Sequence, residues 1–184
     1  EAAFRQVLTS HPDVAGVRYD LALCLSLQGK YEEALPEYDK FLDADPGKTQ
    51  ARKDYALALQ KTGKLSDASR ELELVLSDTP NDLDAALQLA DIYTKQEDWQ
   101  GAIPPLEKAA AGRPDDPAVQ LTYGVALLKV GKSREAIAPL EKARELRPND
   151  YDTLKALAAA YHHAGDEAKA REVLSSAAGA GGTK

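Results

Sequence analysis

The stretch that decides the fold is GKYEEALPEYDKFLDADP, residues 29–46, because three of its residues return at steps of 34 along the chain. The glycine series is Gly29, Gly63, Gly131 and Gly165; the alanine series is Ala34, Ala68, Ala102, Ala136 and Ala170; the proline series is Pro12, Pro46, Pro80, Pro114 and Pro148. Only Glu97 interrupts the glycine series. Three residue types that keep one period identify a repeat protein.

Each repeat contains the pattern of two helices. In residues 15–48, apolar residues recur at steps of three and four from Val17 to Leu25, which predicts an amphipathic helix. Gly29 ends this helix, since glycine adopts the left-handed conformation easily. A second apolar series runs from Tyr31 to Leu42 and predicts another helix, which ends before Pro46. The unit is therefore two helices joined by a tight turn.

The same pattern divides the whole chain. One such hairpin buries too little surface to offset its ordering entropy, so we expect the stacked repeats to fold together as an all-α solenoid. The predicted segments are 1–14 as the second helix of a truncated repeat, 15–48, 49–82, 83–116, 117–150 and 151–178 as repeats 1 to 5, and 179–184 as a flexible tail. Because the chain opens at Glu1 and in mid-repeat, we expect it to be a fragment of a longer protein.

The period, the small residues and the closing proline closely resemble the tetratricopeptide repeat (TPR) family, over nearly the whole chain. The resemblance implies a right-handed superhelical solenoid, and the alanine-rich repeats with internal prolines resemble bacterial members. One departure is the absence of the family's early Trp, in whose place stand Arg18, Arg52, Ala86, Gln120 and Leu154. Other departures are Glu97 and the prolines within second helices: Pro36, Pro104, Pro105 and Pro139. We expect these prolines near the N-terminal turn, where they are tolerated.

Composition excludes some classes of partner. The net charge of −7 argues against general nucleic-acid binding, which needs a basic face. No run approaches the ~20 apolar residues that span a bilayer, so we expect no direct membrane span. Cys24, the single cysteine, excludes an internal disulfide. Its place is taken by alanines in other repeats, which predicts a small buried core residue. A cytoplasmic and a periplasmic location both stay open.

In this family the first helix of each repeat lines a concave groove, so the resemblance implies where a partner binds. The implied groove residues are Tyr19, Leu23, Lys53, Leu57, Leu87, Asp91, Leu121, Val125, Lys155 and His162. The apolar members suit a peptide or an amphipathic helix. The alternative is that these side chains are half-buried between neighbouring first helices. Three further lysines, again 34 apart, favour an acidic peptide or merely complement helix dipoles: Lys61, Lys95 and Lys129.

No catalytic or metal-binding motif emerges from the sequence. Gly131-Lys132-Ser133 ends like a phosphate-binding loop, but the earlier glycine of that loop is missing. His162 and His163 are adjacent and point about 100° apart on a helix, so they do not chelate one metal as an i, i+4 pair does. We expect no enzyme activity, no cofactor and no metal.

Three functions follow as hypotheses. The first is a scaffold that binds a partner peptide or helix in the groove. The second is a non-catalytic arm of a larger enzyme or of a transport or assembly complex. The third is self-association through the truncated N-terminal end, around Phe4 and Leu8. In all three, the chain binds rather than reacts.

Overall fold

The computed structural model describes residues 1–12 and 14–181, and every regular element within them is an α-helix. The predicted all-α fold is confirmed. The helices are α1 (Ala2–Ser10), α2 (Ala15–Leu27), α3 (Tyr31–Ala44), α4 (Thr49–Lys61), α5 (Leu65–Asp78), α6 (Leu83–Lys95), α7 (Trp99–Gly112), α8 (Pro117–Lys129), α9 (Ser133–Leu146), α10 (Tyr151–Ala164) and α11 (Glu167–Gly181). We call the even-numbered helices first helices, and α3, α5, α7, α9 and α11 second helices.

The chain divides into two compact units, Glu1–Ile92 and Tyr93–Lys184. In the first unit, α2 packs against α3 and α4 against α5, and α2 also contacts α4. In the second unit, α8 packs against α9 and α10 against α11, and α10 also contacts α8. Each unit is therefore a stack of helical hairpins in which neighbouring first helices lie against one another.

Most first helices end in the same left-handed turn. The Lys30 backbone N–H donates to the Leu25 carbonyl at 2.9 Å, and Gly29 between them has a φ of 75°. This bond satisfies a carbonyl that the helix end would otherwise leave open. In the turn between α6 and α7, Glu97 keeps a φ of 58°, and the Asp98 N–H donates to the Tyr93 carbonyl at 2.9 Å. The turn thus persists without glycine.

Aspartates begin three of the first helices. Asp82, Asp116 and Asp150 stand 34 residues apart. Their carboxylates accept backbone N–H groups of the first helical turn, from Ala85 at 2.9 Å, Ala118 at 3.0 Å and Thr153 at 2.9 Å. A carboxylate here satisfies open N–H groups and lies at the positive end of the helix dipole. This cap fixes where each first helix starts after the proline turn.

Close approach of helices within a hairpin depends on small residues. Gly124 of α8 and Leu140 of α9 are both buried. A Cβ added to Gly124 would lie 2.7 Å from Leu140 Cδ2 and nearer still to its Cγ. The corresponding residues of the other first helices are Ala22, Ala56, Ala90 and Ala158, and all four are buried. The small residues therefore set the spacing between the two helices of a hairpin.

The internal prolines lie one turn deeper than the sequence indicates. Pro36 and Pro104 are the sixth residues of α3 and α7, and Pro105 and Pro139 are the seventh residues of α7 and α9. All three helices continue through them. Each proline removes one backbone donor. Buried Pro139 packs its ring into the hairpin instead, as does Pro105.

Three of the five positions that lack the family's Trp, namely Arg18, Arg52 and Gln120, form a polar clasp on the preceding turn. Arg18 donates to the Pro12 carbonyl at 2.6 Å and to Glu37 at 2.8 Å. Arg52 repeats this with the Pro46 carbonyl at 3.0 Å and with Glu71. In unit 2, Gln120 donates to the carbonyls of Ala110 at 3.1 Å and Pro114 at 3.4 Å. These bonds tie a first helix to the turn that precedes it.

The structure also bears on the predictions for Cys24, for the C-terminal tail and for a membrane span. Cys24 is half-buried rather than buried, and its Sγ accepts a bond from Gln28 Nε2 at 3.2 Å. Of the predicted tail, residues 179–181 continue α11, and 182–184 lie outside the described residues. No helix in the described part of the chain has both the length and the apolar character needed to cross a membrane.

Candidate functional site

Tyr19 braces two first helices. Its hydroxyl donates to Asp54 Oδ2 at 2.7 Å, and the other carboxylate oxygen accepts from Gln50 at 3.1 Å. The ring stacks on Phe41 with a centroid distance of 5.2 Å. Burial raises the pKa of Tyr19 above its ordinary value, and the hydrogen-bonded Asp54 carboxylate raises it further. The tyrosine therefore stays protonated and links α2 to α4.

Lys53 is also engaged within the protein. Its ammonium lies 2.8 Å from Asp82 Oδ2, and both side chains are mostly buried. Asp82 at the same time caps α6 through the Ala85 N–H. Burial opposes ionisation of Asp82, but the bonds from Lys53 and from backbone N–H groups outweigh it and lower its pKa. Lys53 thus positions the start of α6, which contains the next predicted groove residue.

The remaining predicted residues of unit 1 differ in accessibility. Leu57 is exposed (38%), whereas Leu23 and Leu87 are half-buried. Leu87 lines a polar concavity of about 370 Å³ between α4 and α6, together with Lys53. Asp91 is exposed and accepts a bond from Gln60 Nε2 at 2.6 Å. Leu57 is therefore the most exposed apolar residue of this set.

Unit 2 contains an apolar concavity between α8 and α10. Its volume is about 570 Å³, and Leu121, Val125 and Leu128 line it from α8. All three are half-buried, while Ala126 and Leu127, which turn towards the hairpin interior, are buried. The structure thus brings the predicted residues Leu121 and Val125 into one accessible surface.

Basic side chains border this concavity. Lys155 and His163 line it from α10, and Lys129 lines it from the end of α8. Lys129 lies 5.6 Å from the ring centroid of Trp99. His162, the predicted groove residue, instead pairs its Nδ1 with Glu167 at 2.7 Å. Its neighbour His163 could have been predicted from the sequence as a lining residue, because it stands 34 residues after Lys129 and four residues, about one helical turn, after Ala159.

A third concavity was not evident in the sequence pattern. It has a volume of about 490 Å³ and combines residues of α2, α4 and the end of α3, including Gly16, Phe41 and Asp45. Phe41 belongs to a second helix and is buried in the core. Periodicity along single helices gives no sign of such a site, because its walls come from three helices.

Comparisons with known proteins agree with this architecture. Three models described as tetratricopeptide repeat match residues 25–92, 85–118 and 121–183. Comparison with curated proteins gave no significant match.

Similar solved structures include two of MamA. MamA AMB-1 is 28% identical with a TM-score of 0.78, covering 89% of both chains. MamA MSR-1 is 27% identical with a TM-score of 0.75, covering 90% of this chain and 95% of that one. YrrB, a TPR protein with an unusual peptide-binding site, is 23% identical with a TM-score of 0.83, covering 97% and 92%. By its repeats, its helical hairpins and these matches, the chain belongs to the tetratricopeptide repeat family.

Proposed function

We propose that this protein is a non-catalytic interaction scaffold and that its first-helix faces bind a segment of a partner protein. The observation that carries the proposal is the accessible apolar surface between neighbouring first helices. In unit 2 this surface is the concavity lined by Leu121 and Val125; in unit 1 the exposed apolar side chain of a first helix is Leu57. Apolar surface left open beside polar side chains is typical of protein interaction sites.

The geometry favours a partner segment with apolar anchors. Side chains at positions such as Leu121, Val125 and Leu128 follow one helix face, so an amphipathic helix or an extended peptide can lie along them. Anchors that enter such pockets supply most of the binding energy of an interface, while the surrounding polar contacts supply specificity. The engaged side chains Tyr19 and Lys53 hold the first helices in place rather than contacting the partner.

Capture of partners from a lysate of the source organism tests this function. The variant Leu57→Gln with Val125→Gln removes apolar contacts from first helices of both units. The matched control is Leu74→Gln with Leu174→Gln, two exposed leucines of second helices. We expect a partner that the unmodified chain and the control retain and the first-helix variant loses. A folded first-helix variant that retains the same partner would contradict the proposal.

A second candidate function is self-association through α1. No residue of α1 is buried; Phe4 and Leu8 are half-buried and Val7 is exposed. An apolar helix face of this kind suits a second copy of the chain. Sedimentation velocity over a range of concentrations tests it: we expect a dimer that Val7→Glu dissociates. A monomer at the highest concentration excludes this candidate.

A further inference from the structure

We propose that the concavity between α8 and α10 selects a partner segment in which an apolar side chain stands next to a carboxylate. This inference rests on the proposed function and specifies the chemistry of the partner. It concerns the concavity lined by Leu121, Val125, Lys129, Asp152, Lys155 and His163.

The floor of this concavity requires an apolar anchor. Leu121, Val125 and Leu128 are half-buried, so part of each side chain still contacts water. Ala159 contributes a small side chain from the facing helix α10, which leaves room between the helices. An apolar partner side chain would remove water from both surfaces at once. A polar side chain would lose its own hydrogen bonds with water and find no replacement on this floor.

The rim is basic although the whole chain is acidic. Lys129 and Lys155 are exposed, and neither forms an ion pair within the described residues, although the Lys129 ammonium lies 5.6 Å from the centroid of the Trp99 ring. Lys53 of unit 1 occupies the position equivalent to Lys155. Its ammonium forms a salt bridge with Asp82, which neutralises its charge. The two lysines of unit 2 therefore keep their charge available, and a partner carboxylate complements it.

The charges also give the concavity a direction. Asp152 lies in the first turn of α10, whereas His163 lies in its last turn and Lys129 ends α8. Lys155 lies one turn after Asp152 near the start of α10, so Lys129 is the lysine that stands away from the carboxylate of this concavity. A partner carboxylate therefore pairs best with Lys129, at the end where both first helices finish, and Asp152 faces the part of the segment that contains N–H or cationic groups.

Selection from a library of random octapeptides with blocked ends tests this chemistry on the full chain. We expect bound peptides to be enriched in Asp or Glu next to Leu, Ile or Phe. The variant Lys129→Glu with Lys155→Glu should lose this enrichment, and a selected acidic peptide should bind it at least tenfold more weakly. The control Lys40→Glu makes one charge reversal of the same kind on a second helix of the other unit. It should change the affinity for the selected peptide less than twofold.

Two outcomes overturn the inference. One is a set of bound peptides without acidic enrichment, or with an enrichment that the Lys129→Glu/Lys155→Glu variant preserves. In that case the assigned chemistry fails, while first-helix binding is still decided by the capture experiment with Leu57→Gln/Val125→Gln. The other is the absence of any bound peptide. The lysate capture with Leu57→Gln/Val125→Gln then decides separately whether the proposed function survives.

Discussion

At the scale of single residues, Gly124 shows how one hydrogen atom in place of a methyl group sets the packing of a hairpin. Alanine is the better helix former by about 1 kcal/mol. Alanine occupies the equivalent place in the other first helices, so propensity alone favours it at this position. Leu140 is fully buried and cannot move aside, so steric overlap opposes the same substitution. Overpacking costs about 1–3 kcal/mol, which exceeds the gain in propensity.

We therefore expect Gly124→Ala to lower the free energy of unfolding by about 1 kcal/mol, measured by urea denaturation. In a Leu140→Ala background the overlap disappears, and Gly124→Ala should stabilise the protein by up to about 1 kcal/mol. This reversal of sign isolates the contact between the two side chains. Equal destabilisation in both backgrounds would show that the overlap is not the cause.

Among the described residues, Glu97 has the backbone conformation least suited to its side chain. Its φ of 58° falls in the left-handed region, where the equivalent residues of other repeats are glycines. We expect Glu97→Gly to raise the free energy of unfolding by about 1 kcal/mol, since it relieves this conformation. The reverse change, Gly63→Ala, should lower it by a similar amount, because no atom lies near an added Cβ there and only the backbone is strained. Thermal unfolding of both variants would show the opposite shifts, and shifts of one sign would refute this explanation.

At the scale of helices, the caps couple stability to pH. The Thr153 hydroxyl and the Thr153 backbone N–H both donate to the Asp150 carboxylate, and these bonds hold the pKa of Asp150 below its ordinary value of 3.8. A carboxylate with a lowered folded-state pKa stabilises the protein fully above the unfolded value. That contribution is lost as the pH falls below 3.8 towards the folded value.

We expect Asp150→Asn to reduce the loss of melting temperature between pH 5 and pH 2.5, because asparagine keeps a cap without a titrating charge. Asp152→Asn is the matched control, since Asp152 is exposed in the same first turn and caps nothing among the described residues. Parallel pH profiles for the unmodified protein and Asp150→Asn would contradict this role.

The arginine clasp links a first helix to the turn before it. Arg52 bonds the Pro46 carbonyl and Glu71, and its side chain is only 15% exposed. Hydrogen bonds of a charged donor contribute about 1.5–3 kcal/mol each, so we expect Arg52→Met to lower the free energy of unfolding by roughly 2 kcal/mol. Arg70→Met, at a site 70% exposed, should change it by less than about 0.5 kcal/mol in the same urea titration. Equal effects of both changes on the free energy of unfolding would show that the bonds of Arg52 do not stabilise the fold.

The sequence predicts helices far better than it predicts partners of side chains. Helix ends follow from Gly29 and Pro46 because these residues act through their own backbone. The caps at Asp82 and Asp150 keep the 34-residue period and could also have been recognised. The pairing of Lys53 with Asp82 could not, since it joins residues 29 positions apart across two helices. Periodicity assigns a residue to a face and says little about what touches it there.

At the scale of the molecule, the repeats of each unit leave one face of the first helices uncovered, and this is the surface to which we assign binding. Within unit 2, α9 covers one side of α8 and α10, and the concavity remains on the side lined by Leu121 and Val125. Within unit 1, exposed Leu57 lies on first helix α4 and exposed Leu74 on second helix α5. The two exposed leucines provide a direct comparison between the two kinds of surface.

Site-specific photo-crosslinking in source-cell lysate tests the central claim most directly, since it records which face a partner touches. A photoreactive phenylalanine analogue replaces Leu57 or Val125 on first helices, and Leu74 or Leu174 on second helices. We predict covalent adducts with a partner protein from positions 57 and 125 and little or none from positions 74 and 174. Adducts formed mainly from 74 and 174 would place binding on the second helices and contradict the account.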